Sequence, residues 1–593
     1  MKPRLLYNIV IALLLGVVFF PGSALSGEGT PPNKLPLTKK QLQRIDNIVQ
    51  RMSLRDKVGQ MIMCSILGKK MNPRLRQFLR DVKPGGLTIF NYNFKSSAQL
   101  RKLNLSLFRE FPDIRPFLAI DQEGGAVTRI KEDMPELPGN MALGAAGSIA
   151  LSRRAGEVLG EGLSAHGFNM NLAPVLDINT NPKNPVIGVR SFSSDARLVG
   201  DLGSALINGL QSRGVVAVGK HFPGHGDTSG DSHAKLPVLN HSSKFLKGRE
   251  LIPFVTAIRK GNLNVIMTAH IALPGLHQGR PIPATLSHKV LTDILRNQMS
   301  YQGIIMTDGL EMRGLIGTAG TMAAASVRAV KAGADMISIN ADPLAVYRAR
   351  DALLRAVQQG NISRKRIDAS VKRILATKLR YGVLDRAPRI YAPNAAQKKR
   401  YYKLSRELSL KSATLIKNRN DVLPITDKKY RSVFVVGPSD FVRQFRSRSG
   451  KLNIQQLVYK RGYSTDRLVK LFLQRNKVKP DIVVVALRNA DDTAAAIFLK
   501  QRLKKPMALV SLGSPYLFAR ISMADAQLGL FSNTRMASIV AADIVRGRNA
   551  PTGKLPVTIP GLYPFGHSLT YSIKKKTASR LSQMRPDGQI ASQ

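Results

Sequence analysis

Cysteine is almost missing from this sequence of 593 residues: Cys64 stands alone. A single thiol excludes any intrachain disulfide, so the fold must be held by packing and hydrogen bonding, and Cys64 itself reads as a buried core residue. Tryptophan is absent altogether, which leaves any aromatic surface to Tyr and Phe. Acidic residues are scarce, with 38 Asp and Glu against 90 Lys and Arg, for a formal net charge of +52. Such an excess puts positive potential over most of the surface and concentrates anionic partners there. The basic residues are nevertheless spread along the whole chain, without a zinc-finger, RRM or KH signature, so no specific nucleic-acid partner is expected. A generally basic proteome would give the same bias. Long apolar runs are lacking too. The run at residues 7–20 is shorter than the roughly 20 residues a spanning helix needs. Lys2 and Arg4 precede it and Ser23-Ala24-Leu25-Ser26 follows it, an order that reads as a secretory signal peptide over residues 1–26. Export is therefore expected, with no membrane span once the signal is cleaved, and no Cys follows the run to carry a lipid anchor.

What is present is a folded chain, 44% hydrophobic, too long for one ordinary core. After a Pro-containing spacer (Pro31, Pro32, Pro36), short apolar runs alternate with segments of helical period. Eight such runs occur, at residues 59–64, 86–90, 117–120, 170–176, 215–219, 264–269, 303–307 and 335–339. Being rich in Val, Ile and Met without polar alternation, they suit strands buried on both faces of a parallel sheet, and eight β-then-α units fit a closed (β/α)8 barrel over residues 37–380. A linker is expected at 381–400. Further strands at 432–437, 481–487 and 507–512 then alternate with helical segments, as in a smaller layered α/β domain at 401–570, and a polar tail at 571–593 ends the sequence.

Polar residues fall at the ends of these runs. Asp121 follows the third, Asp177 the fourth, Lys220 and His221 the fifth, His270 the sixth and Asp308 the seventh. In a (β/α)8 barrel the carboxyl ends of all strands open on one face, so residues far apart in sequence converge there. Residues 220–233, Lys-His-Phe-Pro-Gly-His-Gly-Asp-Thr-Ser-Gly-Asp-Ser-His, hold three His and two Asp among glycines, a loop built around polar contacts rather than packing. The spacing matches no closed or helical His-pair zinc pattern, and neither metal nor cofactor is expected. Asp231 and His233, two apart, suit a carboxylate that orients an imidazole and stabilises its protonated form, which makes a general acid; His225 and Asp227 suit a role in shaping the loop. Asp308, at the end of the seventh run with Gly309 leaving room beside it, suits a carboxylate nucleophile that forms a covalent glycosyl intermediate, although a helix N-cap is the ordinary use of such an Asp.

Phe117-Leu118-Ala119-Ile120-Asp121-Gln122-Glu123-Gly124-Gly125 with Arg129, the 220–233 loop and Thr307-Asp308 together resemble glycoside hydrolase family 3, and within it the β-N-acetylglucosaminidase branch of peptidoglycan turnover. Residues 412–418, Gly553-Lys554-Leu555-Pro556-Val557 and Tyr563-Pro564-Phe565-Gly566-His567 resemble the C-terminal α/β sandwich domain of that family. The resemblance implies a barrel followed by a sandwich domain. It implies Asp308 as nucleophile, His233 as acid/base and Asp231 as its partner, with Asp121, Arg129, Arg190, Lys220 and His221 binding the sugar. Carboxylate, Arg and Lys would do so through charge-assisted hydrogen bonds, while an ion pair beneath the pocket is the plainer use of Arg129 and Arg190. The expected partner is a small glycan ending in N-acetylglucosamine, of the peptidoglycan type, and the basic surface suggests association with anionic envelope polymers outside the cytoplasm. An imidazole in place of a second carboxylate repels an incoming anion less, so phosphorolysis stays open beside hydrolysis, as do another β-glycoside substrate and a non-catalytic wall-binding role. Without Trp, any stacking surface for a sugar ring must come from Tyr or Phe.

Overall fold

The computed structural model describes residues 36–573 apart from 233, 341, 460–466, 468–469, 473 and 475–478. The expected signal peptide at 1–26, the acid/base candidate His233 and the tail beyond residue 573 lie outside the described residues.

Eight parallel strands close into a barrel: β1 (Ile62–Ser65), β2 (Gly86–Thr88), β3 (Phe117–Ile120), β6 (Met170–Asn171), β7 (Val216–Phe222), β8 (Val265–Thr268), β9 (Ile304–Gly309) and β10 (Met336–Ile339). Neighbours follow chain order, and β1 closes the circle on β10 through Ile62–Ile337, Met63–Ser338 and Cys64–Ile339. Each of the eight runs marked by the sequence contributes one strand. Their side chains are buried on both faces, Cys64 among them, because helices cover the outside while the inside of the barrel is filled. The helices begin where the chain supplies a capping side chain: Ser53, Asn72, Ser96, Ser148, Asp195, Thr321, Asp342 and Ser363 each accept a backbone N–H from the first turn. A small antiparallel hairpin, β4 (Gln122–Gly124) and β5 (Val127–Thr128), projects from the carboxyl end of β3.

The second unit is a six-stranded sheet in the order β11 (Thr414–Asn418), β16 (Ala526–Gly529), β15 (Met507–Ser511), β14 (Ile482–Leu487), β12 (Ser432–Pro438) and β13 (Asn453–Tyr459). Only β11 runs antiparallel to its neighbour. Helices cover both faces, with Arg535–Val545 and Ser439–Arg446 on one apolar cluster and Asp492–Leu503 on the other. The chain thus has the expected architecture of a (β/α)8 barrel followed by a smaller α/β sandwich. The stretch read as a linker at 381–400 is not all irregular, since the helix Ala395–Ser412 begins inside it, capped by Asn394. Its Lys- and Arg-rich exposed face hid an apolar stripe of Tyr401, Leu404 and Leu408 that is buried.

The two units pack directly on each other. Met141, Ala142 and Ala145, from the barrel helix Asn140–Ala146, enter the apolar cluster on one face of the second sheet. The Ser193 hydroxyl donates to Pro556 O (2.6 Å) and Asn179 Nδ2 donates to the Tyr516 hydroxyl (2.9 Å). Among the described residues, no helix is long and apolar enough to cross a membrane.

Candidate active site

The carboxyl ends of the barrel strands open on a cavity of about 440 Å³. Asp121 lies immediately after β3, Lys220 and His221 near the carboxyl end of β7, Asp308 in β9, Arg190 on the short helical turn Gly188–Arg190 and Arg129 just beyond β5. All six line the cavity. Asp231 adjoins Ser232, which also lines it.

One end of the cavity is a charge network. Lys220 is almost fully buried and its Nζ lies 2.8 Å from both Asp121 Oδ1 and Glu123 Oε1. Arg190 grips Glu123 with both arms of its guanidinium, Nε to Oε2 at 2.9 Å and Nη2 to Oε1 at 2.8 Å, a planar match that a lysine could not make. Arg129 is looser, 4.0 Å from Asp121 Oδ2. Burial alone would drive Glu123 towards its neutral form, but Arg190 and Lys220 outweigh it and hold the carboxyl well below the usual carboxylate range. Lys220 shows the converse: burial opposes its charge, and the Asp121 and Glu123 carboxylates more than restore it. The network therefore stays ionised, and it presents carboxylate acceptors and cationic donors to a bound hydroxyl-rich ligand without rearranging.

His221 is oriented from behind. The Asp177 carboxylate accepts from His221 Nδ1 (2.7 Å) and from the backbone N–H of His225 (2.7 Å). Asp177 is fully buried, and although burial raises its pKa, His221 and the His225 N–H bring it below the ordinary value. A carboxylate can only accept, so the Asp177 bond fixes the hydrogen on His221 Nδ1.

Asp308 sits across the cavity. Gly309 N–H donates to its Oδ1 at 2.8 Å. Burial pushes the carboxyl up, yet His270, His221, the Gly309 N–H and Lys220 together hold it below its ordinary value, so it is ionised near neutrality. His270 is locked in place, with Nε2 donating to Gly309 O (2.9 Å) and Nδ1 bonded to the Thr285 hydroxyl (2.8 Å). Glu311 is the contrasting acid: burial raises its pKa, while Asn340 N–H donates to Oε2 at 3.0 Å. A Cβ at position 309 would meet the Glu311 carboxylate, which would then have to shift. Two acids, one held ionised and one biased towards neutrality, thus flank the same turn, and the ionised one is fit to be a nucleophile.

The loop after β7 is fixed by contacts of its own. His225 bonds Thr228 Oγ1 through Nδ1 (2.8 Å) and Ser232 Oγ through Nε2 (3.1 Å), and burial lowers its pKa to about 4, so it is neutral. Asp227 accepts from Arg249 Nη2 (2.7 Å) and from His241 Nε2 (3.0 Å). Asp227, His241 and Glu250 bring three ligand-capable atoms within 4.8 Å of one another, but the Arg249 guanidinium already supplies the positive charge, with Nε donating to Glu250 Oε1 at 2.6 Å. A metal would have to expel it.

Five residues at the cavity carry no role in the sequence reading. Glu123 stands two residues past a strand end, on a hairpin that periodicity does not mark. Asn340 and Glu311 enter from turns after β10 and β9. Phe90 and Tyr92 form a stacked pair at the cavity, centroids 5.5 Å apart and 14° from parallel, with Tyr92 48% exposed; this is an aromatic platform of the Tyr and Phe type that the lack of Trp demands.

Residues 53–377 match the family model described as the glycosyl hydrolase family 3 N terminal domain. The chain is 31% identical over 462 residues to a protein named beta-hexosaminidase A from Pseudoalteromonas piscicida, spanning 73% of this chain and 74% of that protein. It is 35% identical over 305 residues to a beta-hexosaminidase of Nitrosomonas eutropha, spanning 50% of this chain and 84% of that one. Among solved structures, a glycoside hydrolase family 3 beta-N-acetylglucosaminidase from Paenibacillus sp. str. FPU-7 superposes with a TM-score of 0.78 at 32% identity, covering 86% of this chain and 99% of that chain. With that match over barrel and sandwich alike, the chain belongs to glycoside hydrolase family 3.

Proposed function

We propose that this enzyme is a retaining exo-β-N-acetylglucosaminidase that removes terminal N-acetylglucosamine from small peptidoglycan-type glycans outside the cytoplasm. The observation that carries the reading is Asp308, an ionised carboxylate at the end of a barrel strand, facing a cavity closed at one end by the Arg190–Glu123–Lys220–Asp121 network. The name of a solved relative that matches both domains, a beta-N-acetylglucosaminidase, supports the choice of sugar.

Asp308 attacks the anomeric carbon as the bond from that carbon to the leaving oxygen breaks. His233 gives its proton to that oxygen, and Asp231 stabilises the imidazolium beforehand. The product of this step is a covalent glycosyl-aspartate. Water then attacks the same carbon from the opposite face and loses a proton to His233, and Asp308 departs as carboxylate, so two inversions leave the configuration retained. Asp121, Lys220, Arg190, Arg129 and His221 hold the sugar hydroxyls, and the Phe90–Tyr92 pair offers a flat apolar face. The barrel at 37–380 carries this chemistry, and the segment at 401–570 buttresses it.

The test is release of p-nitrophenol from the N-acetyl-β-D-glucosaminide and from the matching glucoside, with Asp308→Ala as control and phosphate present or absent. Selective, Asp308-dependent hydrolysis of the N-acetyl substrate is expected. Turnover of the glucoside alone would overturn the substrate, and a sugar phosphate as product would overturn hydrolysis.

A further inference from the structure

The barrel face opposite the catalytic cavity carries a second depression, of about 560 Å³. Arg115, Asn169 and Arg213 stand just before β3, β6 and β7, at the amino ends of strands whose carboxyl ends hold the candidate active site. The remaining wall is the turn after the last barrel helix, Arg364–Arg380. Four arginines line the depression, Arg115, Arg213, Arg386 and Arg389, and no Asp or Glu does.

Elsewhere on the barrel Asp335 alone takes Arg296, Arg366 and Arg373; the depression offers its arginines no such acid. Arg115 donates one Nη1 bond to Leu384 O at 3.2 Å. Among the described residues, the guanidinium groups of Arg213, Arg386 and Arg389 have neither a carboxylate within ion-pair distance nor a side-chain hydrogen bond. The acid beside Arg386 in sequence, Asp385, is turned to Arg44 (2.6 Å). Arginine cannot shed its proton to relieve the repulsion. Helices Ser97–Arg109, Ile149–Ala165, Ala196–Gln211 and Arg364–Arg380 do end on this face, and each C-terminus offers about half a negative charge, but only Arg115 is engaged with a carbonyl. The other three guanidiniums are exposed at the lining of the depression.

We propose that this depression binds a ligand with closely spaced phosphate groups, either a free diphosphate or a stretch of a phosphate polymer. The planar guanidinium fork matches phosphate oxygens in pairs, and two phosphates at roughly −1.5 to −2 each near pH 7 balance four arginines. The site is separate from the glycosidase reading and does not depend on it.

The experiment is calorimetric titration of the full chain with pyrophosphate and, separately, with linear polyphosphate, both at constant ionic strength. Three proteins are compared: wild type, the double variant Arg386→Ala/Arg389→Ala, and a control that loses as much charge from the second domain, Arg502→Ala/Lys505→Ala. All four substituted side chains are exposed, so folding is kept. Saturable binding is expected in wild type and in the control, and at least tenfold weaker binding in Arg386→Ala/Arg389→Ala. If pyrophosphate binds, the ligand is a small diphosphate; if only polyphosphate binds, it is a polymer. Absence of saturable binding by either probe, or equal weakening in both double variants, would overturn the proposal.

Discussion

Replacing Lys220 with methionine keeps the length and apolar stem of the side chain and removes only the charge that lies 2.8 Å from both Asp121 and Glu123. The two carboxylates then fare differently. Glu123 keeps its two bonds from Arg190, whereas Asp121 is left with Arg129 at 4.0 Å. Removing one partner of a buried ion pair costs about 3–5 kcal/mol because the other charge remains desolvated. Asp121 retains 19% side-chain exposure, which puts the loss at the low end, about 3 kcal/mol. Adding Asp121→Asn to Lys220→Met removes the stranded charge and should recover about half of that loss, so the two substitutions together cost less than the sum of their separate effects. The assay is urea unfolding of wild type, both single variants and the double variant, followed by far-UV circular dichroism, with the barrel transition compared across the set. Costs that add to within about 0.5 kcal/mol would refute the claim that Lys220 serves to neutralise Asp121.

Three further outcomes follow from the same geometry. Burial raises the Glu250 pKa from 4.5 to about 7, against the opposing pull of Arg249; the folded chain thus favours the neutral acid, and the stability this contributes is fully present below pH 4.5 and lost as pH rises through 7. Relative to Glu250→Gln, wild type should therefore lose up to about 3 kcal/mol between pH 4.5 and pH 8, whereas parallel pH profiles of thermal stability would contradict it. Arg249→Met frees Asp227 on the loop that carries Asp231 and His233, and a small misplacement of acid/base groups should lower kcat by about 10- to 100-fold while KM changes little; a change confined to KM would point to a substrate contact instead. Gly309→Ala forces a Cβ into the Glu311 carboxylate, which should cost about 1–3 kcal/mol of stability and shift the Asp308 turn enough to depress kcat/KM. Wild-type kinetics in that variant would show that the turn has slack.

The barrel was legible because its signal is redundant. Strands buried on both faces must be apolar throughout, and of the residues that break the pattern at their carboxyl ends, Asp121, Lys220, His221 and Asp308 line the cavity, while Asp177 and His270 stand behind it, bonded to His221 and to Gly309 O. Boundaries were less legible. The run at 170–176 forms a strand only over Met170–Asn171, since Pro174 cannot donate to a ladder, and β7 extends through Phe222 beyond the apolar part of its run because Lys220 is held by buried acids rather than by solvent. Glu123 escaped because its partner Arg190 is distant in sequence and the two sit on a three-residue strand and a single helical turn, too short for a period to register. The helix Ala395–Ser412 was hidden by its own basic face, which made a packed element look like a linker. The arginine-lined depression has no sequence signature at all, because its walls come from turns that only the closed barrel brings together.

The central claim is that Asp308 becomes covalently glycosylated during turnover. The direct measurement is rapid acid quenching of the enzyme with an activated, slowly turned-over N-acetylglucosaminide, followed by peptide mass spectrometry. The account predicts one N-acetylhexosaminyl adduct, on the peptide that holds Asp308 and localised to that residue, and none in Asp308→Ala. An adduct on Glu311 or another carboxylate, or one that persists in Asp308→Ala, would contradict it.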